Sequence, residues 1–495
     1  MDEIFEYRFT RLDPVGGAHI DPPSVAVYET LVVKGPGDQP LPGLATSWSV
    51  SPDQLTWRLR LRQGARFHSG AVCDAAAVEE ALERCRWGDG LTRQIWYWDP
   101  VDRVNVVDET TIDIRLHYPY PRLPTLLWGT HTAICNARRR AELGDDFGRT
   151  EADGTGAYRL VSFDPDMVVA ERADTSGSAA ARPANAPRVL RWLSRPTDRE
   201  RHEALRDRAG SIVRAVAPSW LTGIDGDGWR YLEQPEISQF YLALNFDDPL
   251  GFGQLDLRRA IEAFVDRDAL VRVAFDGQGD GRRSPVPAGD KFASAFDPAS
   301  TPPLTEAAAE STLDRLGFRR NDRGVQERDG RELRFSCVTQ DTEPFRRLTS
   351  ELARQLHRAG IEIEFRYYEP FEAFYAACEQ HPPAIVSKWL WQDAIEAVMG
   401  FSRSDCAVDG GGNWQSARLP AVDAMFDQYL RAVTAEEFND ASRNVQELFM
   451  RELPYIPLCS PAESYAVAPE ITGFSLVPNT LYPLYDQLSL VDGET

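Results

Sequence analysis

Residues 55–85, LTWRLRLRQGARFHSGAVCDAAAVEEALERC, change their hydrophobic period partway along. Trp57, Leu59 and Leu61 alternate with Arg58, Arg60 and Arg62, the two-residue period of a half-buried strand. Gln63-Gly64 breaks the run, and Asp74 then stands where a helix cap belongs. Behind it Ala75, Val78, Leu82 and Cys85 share one helical face. A strand and a helix this close, each apolar on one side, must cover those sides in a layered domain. The arginines lie on the strand's other face and read as a solvated surface with carboxylate neighbours, not as a grip on phosphate.

The same grammar recurs downstream. Residues 101–120 read as two strands with a turn at Asp108-Glu109, and residues 156–172 and 239–246 are further strand candidates. Residues 255–275 read as one helix with Leu257, Ile261, Phe264 and Val265 as its stripe, and 306–318 as a shorter one stopped near Gly317. A strand at 331–340, a helix at 345–361 and a strand at 361–368 make an α/β unit. Two helices broken near Thr434 follow, then PYIPL as a short extended piece.

Charge excludes several function classes. The 495 residues hold 54 Lys and Arg against 76 Asp and Glu, a formal net charge of −22, which disfavours a nucleic-acid surface. No stretch approaches the roughly 18 consecutive apolar residues of a membrane span. The beginning MDEIFEYRFTRLDPV lacks a basic run followed by an apolar core, so it is not read as a secretory signal. A cytoplasmic location is expected of the sequence as it stands, and an extracytoplasmic one if a signal has been trimmed. The seven cysteines form no CxxC pair, which argues against a disulfide framework and a structural zinc.

Compact catalytic patterns are missing too. The seven histidines are far apart, and neither a GxSxG elbow nor a Walker loop occurs. GTGAY at 154–158 and GQGDG at 277–281 sit in the wrong context for phosphate and read as turn chemistry. No metal site and no cofactor are expected. The aromatic runs say more: Trp389 and Trp391 in WLW, with Trp414, offer flat surfaces of the kind that hold a mixed polar and apolar ligand. Asp393 beside them suits either a ligand cation or the start of a helix at AIEAVM.

Taken in order, RLDP at 11–14, YETLV at 28–32, the long block at 40–84, GTGAYRL, LALNF, residues 255–275, AVDAMFDQYLRAV and LPYIPL resemble the bacterial extracellular solute-binding proteins of the peptide and nickel class. The resemblance covers nearly the whole chain. It implies an α/β, periplasmic-binding-protein-like two-lobed fold of class II, the large peptide-binding type, with an additional domain. Lobe I is then expected at 1–32, 151–240 and 460–495, the additional domain at 33–150 and lobe II at 241–459. The implied function is non-covalent binding of a small peptide or similar organic solute in a cleft between lobes, by a monomer, with an ABC importer permease as partner. The alternative is a cytoplasmic enzyme that has reused such a cleft, for example in making a small natural product. Peptide-binding members carry an acid soon after a tryptophan to hold the peptide amine. Here that place falls on Gln392 or Ala394 with Asp393 between them, so Trp389, Trp391, Gln392, Asp393 and Trp414 are the expected ligand contacts.

Overall fold

The computed structural model describes residues 1–14, 22–35, 38–87, 95–173, 183–222, 228–391, 393–407, 411–476 and 485–491. Its chain divides into two compact units, Met1–Gln234 with Glu463–Thr495, and Pro235–Ala462.

In the first unit the strand Asp2–Phe5 lies between Val189–Ser194 and Ile212–Arg214, parallel to both. Antiparallel pairing carries the sheet on through Met167–Arg172 and Tyr158–Asp164 on one side. On the other, Ile212–Arg214 pairs with the second half of the strand Ile456–Val467. A strand with parallel neighbours is covered on both faces, and its alternate residues enter different cores. Phe5 packs with Trp192, Ile212, Tyr465 and Val467, whereas Ile4 packs with Leu205, Val213 and Ala466.

A separate antiparallel sheet runs Ala45–Val50, Thr56–Leu61, Thr111–Leu116, Val101–Asp108. The opening alternation is realised in it: Trp57, Leu59 and Leu61 are buried while Arg58 and Arg60 face solvent. Arg58 donates to both Asp113 oxygens at 2.8 Å, and Arg62 to Glu29 at 3.0 and 2.7 Å. The helix Ala75–Trp87 follows, and Asp74 Oδ1 accepts from the Ala77 N–H at 3.0 Å. Cys85 is only half-buried. Arg86 takes the next covered position because the Val101 and Asp102 carbonyls satisfy its guanidinium at 2.7 and 2.8 Å.

GTGAY is a place of close backbone approach. Neither Gly154 nor Gly156 needs a left-handed backbone, yet a Cβ on either would overlap the Val27 carbonyl oxygen. The Gly156 N–H donates to that oxygen at 2.9 Å, and the Gly156 carbonyl lies 2.9 Å from His68 Nε2. Gly156→Ala is therefore expected to cost about 1–3 kcal/mol through overpacking, read as a lower denaturant midpoint. An unchanged midpoint would show that the Ala26–Val27 backbone, the end of the helix Pro22–Val27, can move aside.

The second unit holds the strands Glu362–Tyr368, Arg334–Gln340, Ala384–Leu390, Ser238–Leu244 and the first half of Ile456–Val467, in that order. Arg334–Gln340 and Glu362–Tyr368 are parallel, joined by the helix Glu343–Arg358, as the strand–helix–strand pattern predicts. Two expectations are corrected. Residues 255–275 form two helices, Leu255–Ala263 and Arg267–Ala274, because Asp266 caps the second through the Ala269 N–H at 2.9 Å. PYIPL opens a strand of 12 residues. Pro457 has no N–H for the ladder, and the register with Ser238–Leu244 shifts beside it, between Phe240 and Tyr241. The helices Pro420–Arg431 and Ala435–Glu452 are divided at Thr434, whose hydroxyl accepts the Glu437 N–H in a capping box.

Candidate functional site

Ser238–Leu244 and Ala384–Leu390 pair antiparallel, with Gln239 opposite Trp389 and Tyr241 opposite Ser387. Directly paired residues share a face. On this face Trp389 is only 2% exposed, and its Nε1 donates to Tyr455 Oη at 3.2 Å. Ring centroids then run Tyr455 to Tyr241 at 4.8 Å, Tyr241 to Phe401 at 5.6 Å and Phe401 to Trp414 at 6.1 Å. Trp414 is also buried, edge-on to Tyr375 at 5.1 Å, and its carbonyl lies 3.0 Å from His381 Nδ1. Tertiary structure thus joins Trp389 and Trp414, far apart in sequence, through one chain of rings. Such contacts make a stiff wall.

Trp391 and Asp393 belong to a second group. Asp393 caps the helix Ala394–Gly400: Oδ1 accepts from the N–H groups of Ile395 and Glu396 at 3.0 and 3.1 Å. Tyr429 Oη donates to the same carboxylate at 3.3 Å, and Lys291 Nζ stands 3.7 Å from Oδ2. Trp391 is half-buried, with its indole N–H donating to Glu396 Oε2 at 3.4 Å. Asp290 lies beneath this group, its oxygens accepting from the N–H of Phe292 at 2.8 Å and of Ala394 at 3.2 Å. Burial first, and the negative Asp393 second, push the Asp290 carboxyl up to about 6. Gln392 lies outside the described residues.

Sequence reasoning missed Asp290, Lys291 and Tyr429. The first two sit at the end of the proline-rich stretch after Ser284, which reads as a mere connection. Only the AGDK pairing of an acid with a lysine was available as a signal, and nothing local ties it to position 393.

The arrangement is a set of buried, linked rings beside a half-buried tryptophan and an acid whose charge is compensated by a lysine and by backbone N–H groups. Among the described residues no group of three or more His, Cys, Asp or Glu is placed to hold a metal ion. All seven cysteines are unpaired, and burial pushes the Cys73 thiol up to about 12, leaving little thiolate at neutral pH. No helix among the described residues is long and apolar enough to cross a membrane.

Comparison with known proteins places this geometry in a wider setting. Residues 39–406 match the family described as bacterial extracellular solute-binding proteins, family 5 Middle. The glutathione-binding protein GsiB of Pectobacterium atrosepticum is 22% identical over 467 residues, which cover 90% of this chain and 84% of that protein. The oligopeptide-binding protein AppA from Bacillus subtilis, solved with a nonapeptide, superposes with a TM-score of 0.84 at 17% identity over 99% of each chain. A dipeptide-binding protein from Pseudoalteromonas sp. SM9913, solved with Met-Leu, gives 0.84 at 15% identity over 99% of this chain and all (100%) of the other. These likenesses establish the periplasmic-binding-protein-like α/β fold.

Proposed function

The chain belongs to the bacterial extracellular solute-binding proteins of family 5, and from that membership we propose that it binds a short peptide or similarly sized organic solute without covalent chemistry and delivers it to an ABC importer permease. One observation carries the reading: the family match spans residues 39–406, and structures solved with peptides superpose on 99% of the chain. Trp391 and Asp393 are assigned to the ligand-facing part of the wall, and Gln392 stays an expected ligand contact on the sequence alone. Trp389 and Trp414 are assigned to its supporting rings, since both are almost fully covered. The family is extracellular, which favours the extracytoplasmic alternative over the cytoplasmic one, and we place the working protein outside the cytoplasm. A first lobe at 1–32, 151–240 and 460–495 and a second at 241–459 complete the reading. The separate four-stranded sheet within residues 45–116 supports treating 33–150 as an additional domain.

Native mass spectrometry on protein purified from its own host tests the function, with cell fractionation beside it. A retained mass of peptide or small-solute size, released on denaturation, is expected, together with recovery outside the cytoplasm. Chemical conversion of the retained molecule on prolonged incubation would overturn binding without chemistry. Recovery wholly in the cytoplasm would overturn delivery to an importer.

A further inference from the structure

Asp393 stands in the part of the wall just assigned to ligand contact, yet its carboxylate is already served from within the chain. Oδ1 takes two backbone N–H groups, the Tyr429 hydroxyl adds a third donor, and Lys291 Nζ stands 3.7 Å from Oδ2. Of this ion pair the carboxylate side chain is 15% exposed and the lysine 33%, so the more accessible charge is the cation. The neighbouring acids are occupied as well. Asp290 is buried with both oxygens on backbone N–H groups, and Glu396 is buried with the Trp391 indole on Oε2.

A ligand ammonium arriving at Asp393 would have to displace Lys291 and would meet a like charge on the way. A ligand carboxylate, a carbonyl or a capped amide would meet an ammonium donor instead. We propose that Lys291 is a specificity-determining residue: it fills the place of a ligand amine at Asp393, so that the protein selects ligands whose group at this point is blocked or anionic. Substrate choice then turns on one residue in a loop about a hundred positions from the acid it neutralises. This inference rests on the reading of the Asp393 surface as ligand wall.

The test uses a mixture of short synthetic peptides with free α-amines and the same mixture N-acetylated, offered to full-length wild type, Lys291→Met and Lys291→Arg. Competitive retention is read by native mass spectrometry. Wild type and Lys291→Arg are expected to favour the acetylated series by about tenfold or more, the scale of one charge pair. Lys291→Met is expected to abolish that preference by raising retention of the free-amine series. Rescue by arginine separates the charge from a merely structural role. Equal retention of both series by wild type, or an unchanged preference in Lys291→Met, would overturn the role of Lys291 and leave peptide binding standing. Retention of neither series by any of the three proteins would overturn the peptide reading and this inference together.

Discussion

Replacing Glu3 with Gln is expected to stabilise the protein by about 3 kcal/mol at neutral pH, and to change little near pH ~4. Glu3 is fully covered in the strand Asp2–Phe5, and among the described residues neither carboxylate oxygen has a hydrogen-bond partner of good geometry. Trp192 and Tyr485, whose Nε1 and Oη are the donors that bear on it, belong to the same core. Burial pushes the Glu3 carboxyl up from 4.5 to about 8; Tyr485, Arg214 and Trp192 oppose that shift, and Glu463 adds to it. The folded protein therefore keeps a proton that the unfolded chain releases above 4.5. Stability falls as pH rises from 4.5 to about 8 and is level outside that window, as far as this group is concerned. Gln holds the neutral shape at every pH and removes the decline. Urea unfolding at several pH values checks this, and identical pH slopes for the two proteins would refute it.

Glu262→Ala is expected to act in the opposite direction, at a cost of about 3–5 kcal/mol. Glu262 is 1% exposed and receives Arg267 Nη2 at 2.9 Å and both Arg283 Nε and Nη2 at 2.8 Å. Burial draws the Arg267 guanidinium down, Glu262 opposes that, and Arg283 reinforces it as a like charge. Removing the carboxylate leaves two covered cations facing each other with nothing between them. Their other bonds, from Arg267 Nε to the Pro457 carbonyl and from Arg283 to the Thr301 carbonyl, satisfy hydrogen bonds but not charge. Replacing the whole cluster, with Glu262→Leu, Arg267→Met and Arg283→Met together, is expected to recover more than half of the loss, because apolar side chains of similar volume replace a buried ion cluster at little cost. Thermal and denaturant unfolding of the single and triple variants decide the matter. A single-variant cost below about 1 kcal/mol would mean that the site is wet.

Elements whose period and caps lie within a few residues were legible in the chain. Trp57, Leu59 and Leu61 are buried as their alternation requires, and Asp74 and Thr434 begin helices where their side chains reach the next turn. The misread elements show the limit of that method. A stripe through Leu257, Ile261, Phe264 and Val265 has helical spacing whether or not the chain breaks at Asp266. PYIPL reads as short because its prolines are visible, whereas the partners that extend it to Val467 are remote in sequence.

The candidate site divides in the same way. WLW and Asp393 stand out as letters, and the helix start at AIEAVM follows from capping chemistry alone. Which charges remain available does not. Periodicity, capping and family likeness belong to the order of residues along the chain, and the sequence alone determined them. Desolvation and Coulomb forces depend on neighbours in space: Lys291 beside Asp393, Asp290 beneath it, Trp192 and Tyr485 around Glu3. Those neighbours come from strands and loops a hundred or more positions apart, so only the tertiary structure decided which acids are neutral and which are paired.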